Sequence, residues 1–120
     1  MTFQRIGLGI TGEDLACQEL EARGYSIVAR RYRVTAGEID IVARDGPTLV
    51  FVEVKARASH EFGSAAEAVT SSKQRKLVRL ATEYLTAHGI HDCPCRFDVV
   101  SIHFDAAPPV ILVYQNAFHA

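Results

Sequence analysis

Two carboxylates and a lysine, Asp40, Glu53 and Lys55, stand in a pattern able to hold a divalent cation beside a phosphate. Glu53 and Lys55 lie two apart in the run Thr48–Lys55, which reads as a β-strand, so both side chains emerge from one face. Val50, Val52 and Val54 take the other face. In the preceding run, Glu38–Arg44, Glu38 and Asp40 share a face, and Ile39 and Ile41 share the opposite one. If both apolar sets point into a core, Asp40 joins Glu53 and Lys55 on a single face. A four-residue turn at 45–48 pairs Arg44 with Leu49, which sets Asp40 directly opposite Glu53.

Opposed residues on neighbouring strands lie about 5 Å apart at Cβ. At an effective dielectric of about 20, two carboxylates there repel by roughly 3 kcal/mol. Ordinary cross-strand pairing returns only ~0.2–1 kcal/mol, so folding alone does not favour the arrangement. A bound Mg²⁺ or Mn²⁺ reverses the sign, because hard cations take carboxylate oxygens and keep several waters. The ammonium of Lys55 also relieves the repulsion. An exposed sheet face with cross-strand ion pairing is therefore the competing account.

The elements that carry these residues are legible from pattern. A helix is expected over 11–23, with Thr11 and Asp14 as a capping box, Leu15, Ala16, Cys17 and Leu20 on its apolar side, and Gly24 as its stop. Strands are expected at 25–33, 38–44 and 48–55, with Gly37 and Asp45-Gly46-Pro47 as turns, giving an antiparallel meander. A Gly/Ala/Ser stretch follows. A helix over 71–88 comes next, capped by Ser71 with Gln74, with Leu77, Leu80, Ala81, Tyr84 and Leu85 as its apolar stripe. Strands at 96–104 and 109–115 close the chain. The second helix is long enough for a right-handed crossover, which places the fourth strand parallel to the third. The expectation is a single α/β domain of order αβββαββ, a mixed central sheet flanked by helices.

The bulk numbers bound this reading. A chain of 120 residues, 48% apolar and 22% charged, suits one globular domain. It buries roughly two-thirds of its unfolded surface, enough for a core without staples. No apolar run approaches the ~20 residues of a membrane helix, and the N-terminus lacks the pattern of a signal peptide. With three cysteines, a cytoplasmic protein with reduced thiols is expected. The net charge of −1 gives no general signal for nucleic acid. Bases nonetheless cluster at Arg30, Arg31 and Arg33 and at Lys73, Arg75, Lys76 and Arg79. His88, His91, Cys93 and Cys95 are zinc-ligand types, but their spacing is too compressed for the usual separated pairs.

The segment GEIDIVARD-GP-TLVFVEVKAR, with GEDLA upstream, Lys73 downstream and RFDVV at 96–100, resembles the YraN-like bacterial proteins. That family is of uncharacterised function and is grouped with the PD-(D/E)XK nucleases and Holliday-junction-resolvase-like folds. The likeness runs from about Gly9 to Phe118. It implies a restriction-endonuclease-like fold and metal-assisted hydrolysis of a DNA phosphodiester, on branched or damaged DNA among other forms. It implies Asp40 and Glu53 as acidic metal ligands, the Val54 carbonyl and Glu13 as further ones, and Lys55 as the motif lysine beside the attacking water. It also implies Lys73 as a base near phosphate, with Mg²⁺ or Mn²⁺ as cofactor, DNA as partner and no membrane. Resolvase-like relatives act in pairs, so a homodimer is implied too. Ile39 precedes Asp40, so the proline of the motif is absent.

Several residues keep two readings. Arg57 continues the Glu53–Lys55 face and either touches phosphate or is solvated. Lys76, with Arg75 and Arg79, is a nucleic-acid contact or a solvated helix face. Lys73 stands out because a base in a first helical turn opposes the helix dipole. Glu13 is a ligand or a dipole-complementing acid. Glu38 is a partner of the site or a solvated strand-end charge. Asp98 is a site residue or a partner of Arg96. Besides the nuclease, two other functions fit: a nucleic-acid-binding module without turnover, and a protein-interaction domain using the edge strand at 109–115.

Overall fold

The computed structural model describes residues 11–57 and 69–120; the chain before Thr11 and the stretch at 58–68 lie outside the described residues. The elements are α1 (Gly12–Ala22), β1 (Ser26–Val34), β2 (Gly37–Asp45), β3 (Thr48–Arg57), α2 (Ser71–Ala87), β4 (Cys95–His103) and β5 (Val110–Phe118). They form one α/β domain around a five-stranded sheet of order β1-β2-β3-β4-β5. The first three strands are an antiparallel meander, β4 runs parallel to β3 through the α2 crossover, and β5 is antiparallel to β4. Among the described residues, no helix is long and apolar enough to cross a membrane.

Local chemistry sets the element ends. Thr11 and Asp14 form the expected capping box, at 3.0–3.1 Å. The cap of α2 is Thr70 rather than Ser71: its extended backbone lets its hydroxyl accept the Lys73 N–H at 3.2 Å. Gln74 is then drawn back to the Val69 carbonyl at 2.9 Å instead of completing a box with Ser71. The β2–β3 turn needs Gly46, whose φ of 61° lies where a side chain is strained.

Both faces of the sheet are covered, as expected of a mixed central sheet flanked by helices, and the competing account of an exposed face around Glu53 does not hold. Leu49 and Phe51 pack with Leu77, Leu80, Ala81 and Tyr84 of α2, while Val50 and Val52 pack with Ala16, Cys17 and Leu20 of α1. A strand with a parallel neighbour and helices on both sides is apolar on both faces. Glu53 shares the face of Leu49 and Phe51, so it lies under α2 and is only 5% exposed.

A correction concerns β2. Ile39 and Val42 pack on the α2 side, whereas Ile41 and Ala43 pack on the α1 side. Strict alternation would have put Ile39 with Ile41. The strand therefore changes facing around Asp40, opposite the stretch of β1 where Arg31 has φ 51°. That local departure frees the Asp40 side chain for other work.

Candidate metal and phosphate site

The β2–β3 ladder pairs Asp45 with Thr48, Arg44 with Leu49 and onward to Ile41 with Val52. This is the register the turn implies, and one further step sets Asp40 across from Glu53. At that step the bonding changes. The Val54 N–H donates to Asp40 Oδ2 at 2.8 Å, so a side chain takes the place of a backbone acceptor on β2. The strands part here, and the aspartate fills the fork.

Asp40 and Glu53 meet in that fork, close enough that each carboxyl bears on the titration of the other. Burial is the main reason the Glu53 carboxyl is pushed up to about 7, and the charge of Asp40 adds to it. Lys73 and Lys55 pull the other way, with their Nζ atoms 3.6 and 3.7 Å from Glu53 Oε2. Burial also raises Asp40, against the Val54 N–H and the hydrogen bond from Glu53. A buried and a half-buried carboxylate set side by side are a site that further positive charge would stabilise.

The donor set fits a hard cation. Asp40, Glu53 and the Val54 carbonyl offer oxygen ligands, and Mg²⁺ or Mn²⁺ characteristically takes one or two carboxylates and keeps several waters. Glu13 lies near enough to Asp40 for its charge to raise that carboxyl, but it is engaged by arginines. Its carboxylate accepts from Arg31 Nε at 2.7 Å and Arg30 Nη2 at 3.2 Å, although it borders a pocket of about 270 Å³ together with Asp40, Glu38, Arg31 and Val54. Arg30 also binds Asp14 at 2.6 Å and holds that carboxyl down near 2. Among the described residues, no group of three His, Cys, Asp or Glu side chains is gathered closely enough to hold a metal. That statement covers Glu13 with the pair, and equally His88, His91, Cys93 and Cys95.

The remaining candidates are distributed around the fork. Lys73 reaches Glu53 from the first turn of α2, which accounts for a base at that helix end. Lys76, one turn on, lies across the start of β2: a Cβ at Gly37 would come 3.0 Å from its Cε. Glu38 pairs with Arg33 at 3.0 Å. Arg57 continues the Glu53–Lys55 face of β3. Pattern reading missed Ser101 and His103, buried on β4 beside Lys55 and Arg57 and joined by a 2.8 Å hydrogen bond. Only the parallel register brings them there, and no local motif signals it. Asp98 sits elsewhere, fully buried among Tyr25, Arg96 and Asn116, as a structural anchor.

Fold and site together define a single-domain α/β protein with an acidic pair and two lysines at a fork between strands. The chain belongs to UPF0102, described as an uncharacterised protein family, whose model matches residues 12–102. It is 49% identical over 116 residues to a UPF0102 protein of Symbiobacterium thermophilum, covering 94% of this chain and 97% of that one. A UPF0102 protein of Geobacter metallireducens is 47% identical over 118 residues, covering 98% and 97%. One of Roseiflexus castenholzii is 48% identical over 103 residues, covering 85% and 83%.

Proposed function

We propose that this protein is a Mg²⁺- or Mn²⁺-dependent endonuclease of the PD-(D/E)XK type that hydrolyses phosphodiester bonds in DNA. The observation that carries the reading is buried Glu53 placed beside half-buried Asp40 at the fork, with two ammonium groups within 4 Å of Glu53. Asp40 and Glu53 would hold the metal, with the Val54 carbonyl. When bound, the ion lowers the pKa of a water and offsets phosphate charge. The protein's own contribution is positional. The Val54 N–H fixes Asp40, the fork holds Glu53 against it, and Lys55 and Lys73 present fixed positive charge where negative charge grows on the phosphate. The burial of Glu53 strengthens the interactions it makes.

The test is cleavage of linear, single-stranded and four-way-junction DNA with Mn²⁺. Activity is expected on at least one of these and is expected to fall to background in Glu53→Gln and Asp40→Asn. Equal activity in the variants would mean a contaminant and would sink the assignment. A near-neutral charge favours a second reading, binding without turnover. Under it, salt-dependent DNA binding survives both substitutions and no product forms.

A homodimer is proposed through β5. The strand has a partner on one side only, carries no charged residue over nine positions, and exposes Val110 and Leu112. Such an edge is open to pairing. The other edge, β1, carries charged side chains, Arg30, Arg31 and Arg33, which disfavour strand pairing there. Light scattering after size exclusion is expected to give a dimer for the native chain and a monomer for Leu112→Lys. A native monomer would remove the proposal.

A further inference from the structure

Arg57 is half-buried at the end of β3, and its Nε and Nη2 atoms are buried without a hydrogen-bond partner. These two atoms form one edge of the guanidinium, the edge that grips both oxygens of a phosphate or carboxylate at once. The group cannot shed its proton to escape the cost of burial. Elsewhere the fold supplies acids to its arginines: Arg23, Arg30, Arg31, Arg33 and Arg96 each meet a carboxylate. Beside Arg57 it supplies none on β4. The register places His103 opposite Arg57 and Ser101 opposite Lys55, a ring and a hydroxyl rather than acids. A desolvated forked donor, two residues along one strand face from Lys55, is a receptor waiting for an anion.

We propose that Arg57 forms a second anion subsite, gripping through Nε and Nη2 a phosphate adjacent to the one cleaved at Asp40 and Glu53. That the anion is a nucleic-acid backbone phosphate rests on the nuclease reading; that the subsite takes a tetrahedral oxyanion does not. Lys55 lies between the two positions and serves both. The subsite fixes where the backbone sits along β3, a task that a mobile lysine ammonium performs less sharply than a planar fork.

The first arm of the test uses no DNA and no metal. Inorganic phosphate is titrated into the full-length protein, followed by calorimetry and by thermal unfolding at constant ionic strength. Saturable binding with a rise in Tm is expected for the native chain. Arg57→Lys keeps the charge but not the fork and is expected to weaken binding by about tenfold. Arg23→Ala, at the exposed end of α1, is expected to bind as the native chain does. Arg57→Met separates recognition from structure: without phosphate its Tm is expected to equal or exceed the native value, because an unpaired buried charge has gone. A lower Tm together with unchanged phosphate binding would make Arg57 a structural residue and overturn the proposal, as would equal binding by Arg57→Lys.

The second arm measures duplex DNA binding by the same proteins with divalent ions chelated. Arg57→Met is expected to bind about tenfold more weakly and with a shallower salt dependence. Phosphate binding lost with DNA binding unchanged would show a site for free phosphate, and would overturn the backbone assignment. Cleavage unaffected by Glu53→Gln would sink the nuclease reading instead, and would leave the first arm standing.

Discussion

Asp98→Ala is expected to destabilise the protein by about 3–5 kcal/mol, the cost of breaking a fully buried, hydrogen-bonded charge pair. At about 4 °C per kcal/mol for a domain of this size, Tm falls by roughly 12–20 °C. Asp98 is 0% exposed and accepts four hydrogen bonds: Tyr25 Oη at 2.7 Å, Arg96 Nε at 2.9 Å, Arg96 Nη2 at 3.0 Å and the Asn116 N–H at 2.9 Å. Arg96 also binds Asp45 at 2.9 Å, and Gln115 donates to the Tyr25 hydroxyl at 2.9 Å. The network ties the end of α1 to the β2–β3 turn, β4 and β5. The Asp98 carboxylate, through its hydrogen bonds, holds the Arg96 guanidinium more firmly charged than usual, and burial with the bond to Asp98 raises the Tyr25 hydroxyl. Alanine leaves the four donors of Tyr25, Arg96 and Asn116 facing a void, whereas Asp98→Asn keeps one good acceptor and is expected to lose less. Chemical denaturation checks this. A loss under 1 kcal/mol for Asp98→Ala would mean that water replaces the carboxylate and that the network does not anchor the fold.

This network also shows where a single sequence stops being readable. The Arg96–Asp98 pairing is two residues long in the chain and was legible. Tyr25 lies 73 positions from Asp98, and Asp45 lies 51 from Arg96, so no local pattern could join them. The same gap explains the end of β5. The strand expected to end at 115 runs on to Phe118, because Gln115 and Asn116 serve Tyr25 and Asp98 while Phe118 stacks on Phe97 at 4.9 Å.

The candidate site divides in the same way. The register that brings Asp40 to Glu53 follows from a four-residue turn and was visible in the chain. The burial of Glu53 had a signal too, since Leu49 and Phe51 share its parity and both are apolar. Alternation alone hid the change of facing at Asp40, because a side chain that replaces a backbone acceptor breaks the period of two without altering composition. Glu13 was placed at the right rim, but the arginines that hold it come from β1, whose contacts with α1 are tertiary.

Without divalent metal, the protein is expected to lose about 3 kcal/mol of stability as pH rises from about 4.5 to about 7, beyond any contribution from other groups. The sign follows from Glu53. Its carboxyl stands near 7 in the fold against an ordinary 4.5, so the native state holds the proton that the unfolded chain releases. The stabilisation is complete below the unfolded value, declines through the window, and is gone once pH exceeds the folded value. Glu53 is 5% exposed, so solvent screening removes little of it. Above that window the two carboxylates repel, and Lys73 and Lys55 oppose the repulsion. Glu53→Gln keeps a donor to Asp40 but has no proton to lose. Its stability is expected to be flat across the window and to exceed the native value at pH 8. A saturating cation stabilises whichever state binds it, by ~2.7 kcal/mol at a hundredfold excess over Kd. Mn²⁺ should therefore raise the native Tm more at pH 8 than at pH 5, and should leave Glu53→Gln nearly unmoved. A native profile that is level with pH and indifferent to Mn²⁺ would mean the pair is satisfied by its lysines alone. The fork between β2 and β3 would then be a structural ion cluster rather than a metal site.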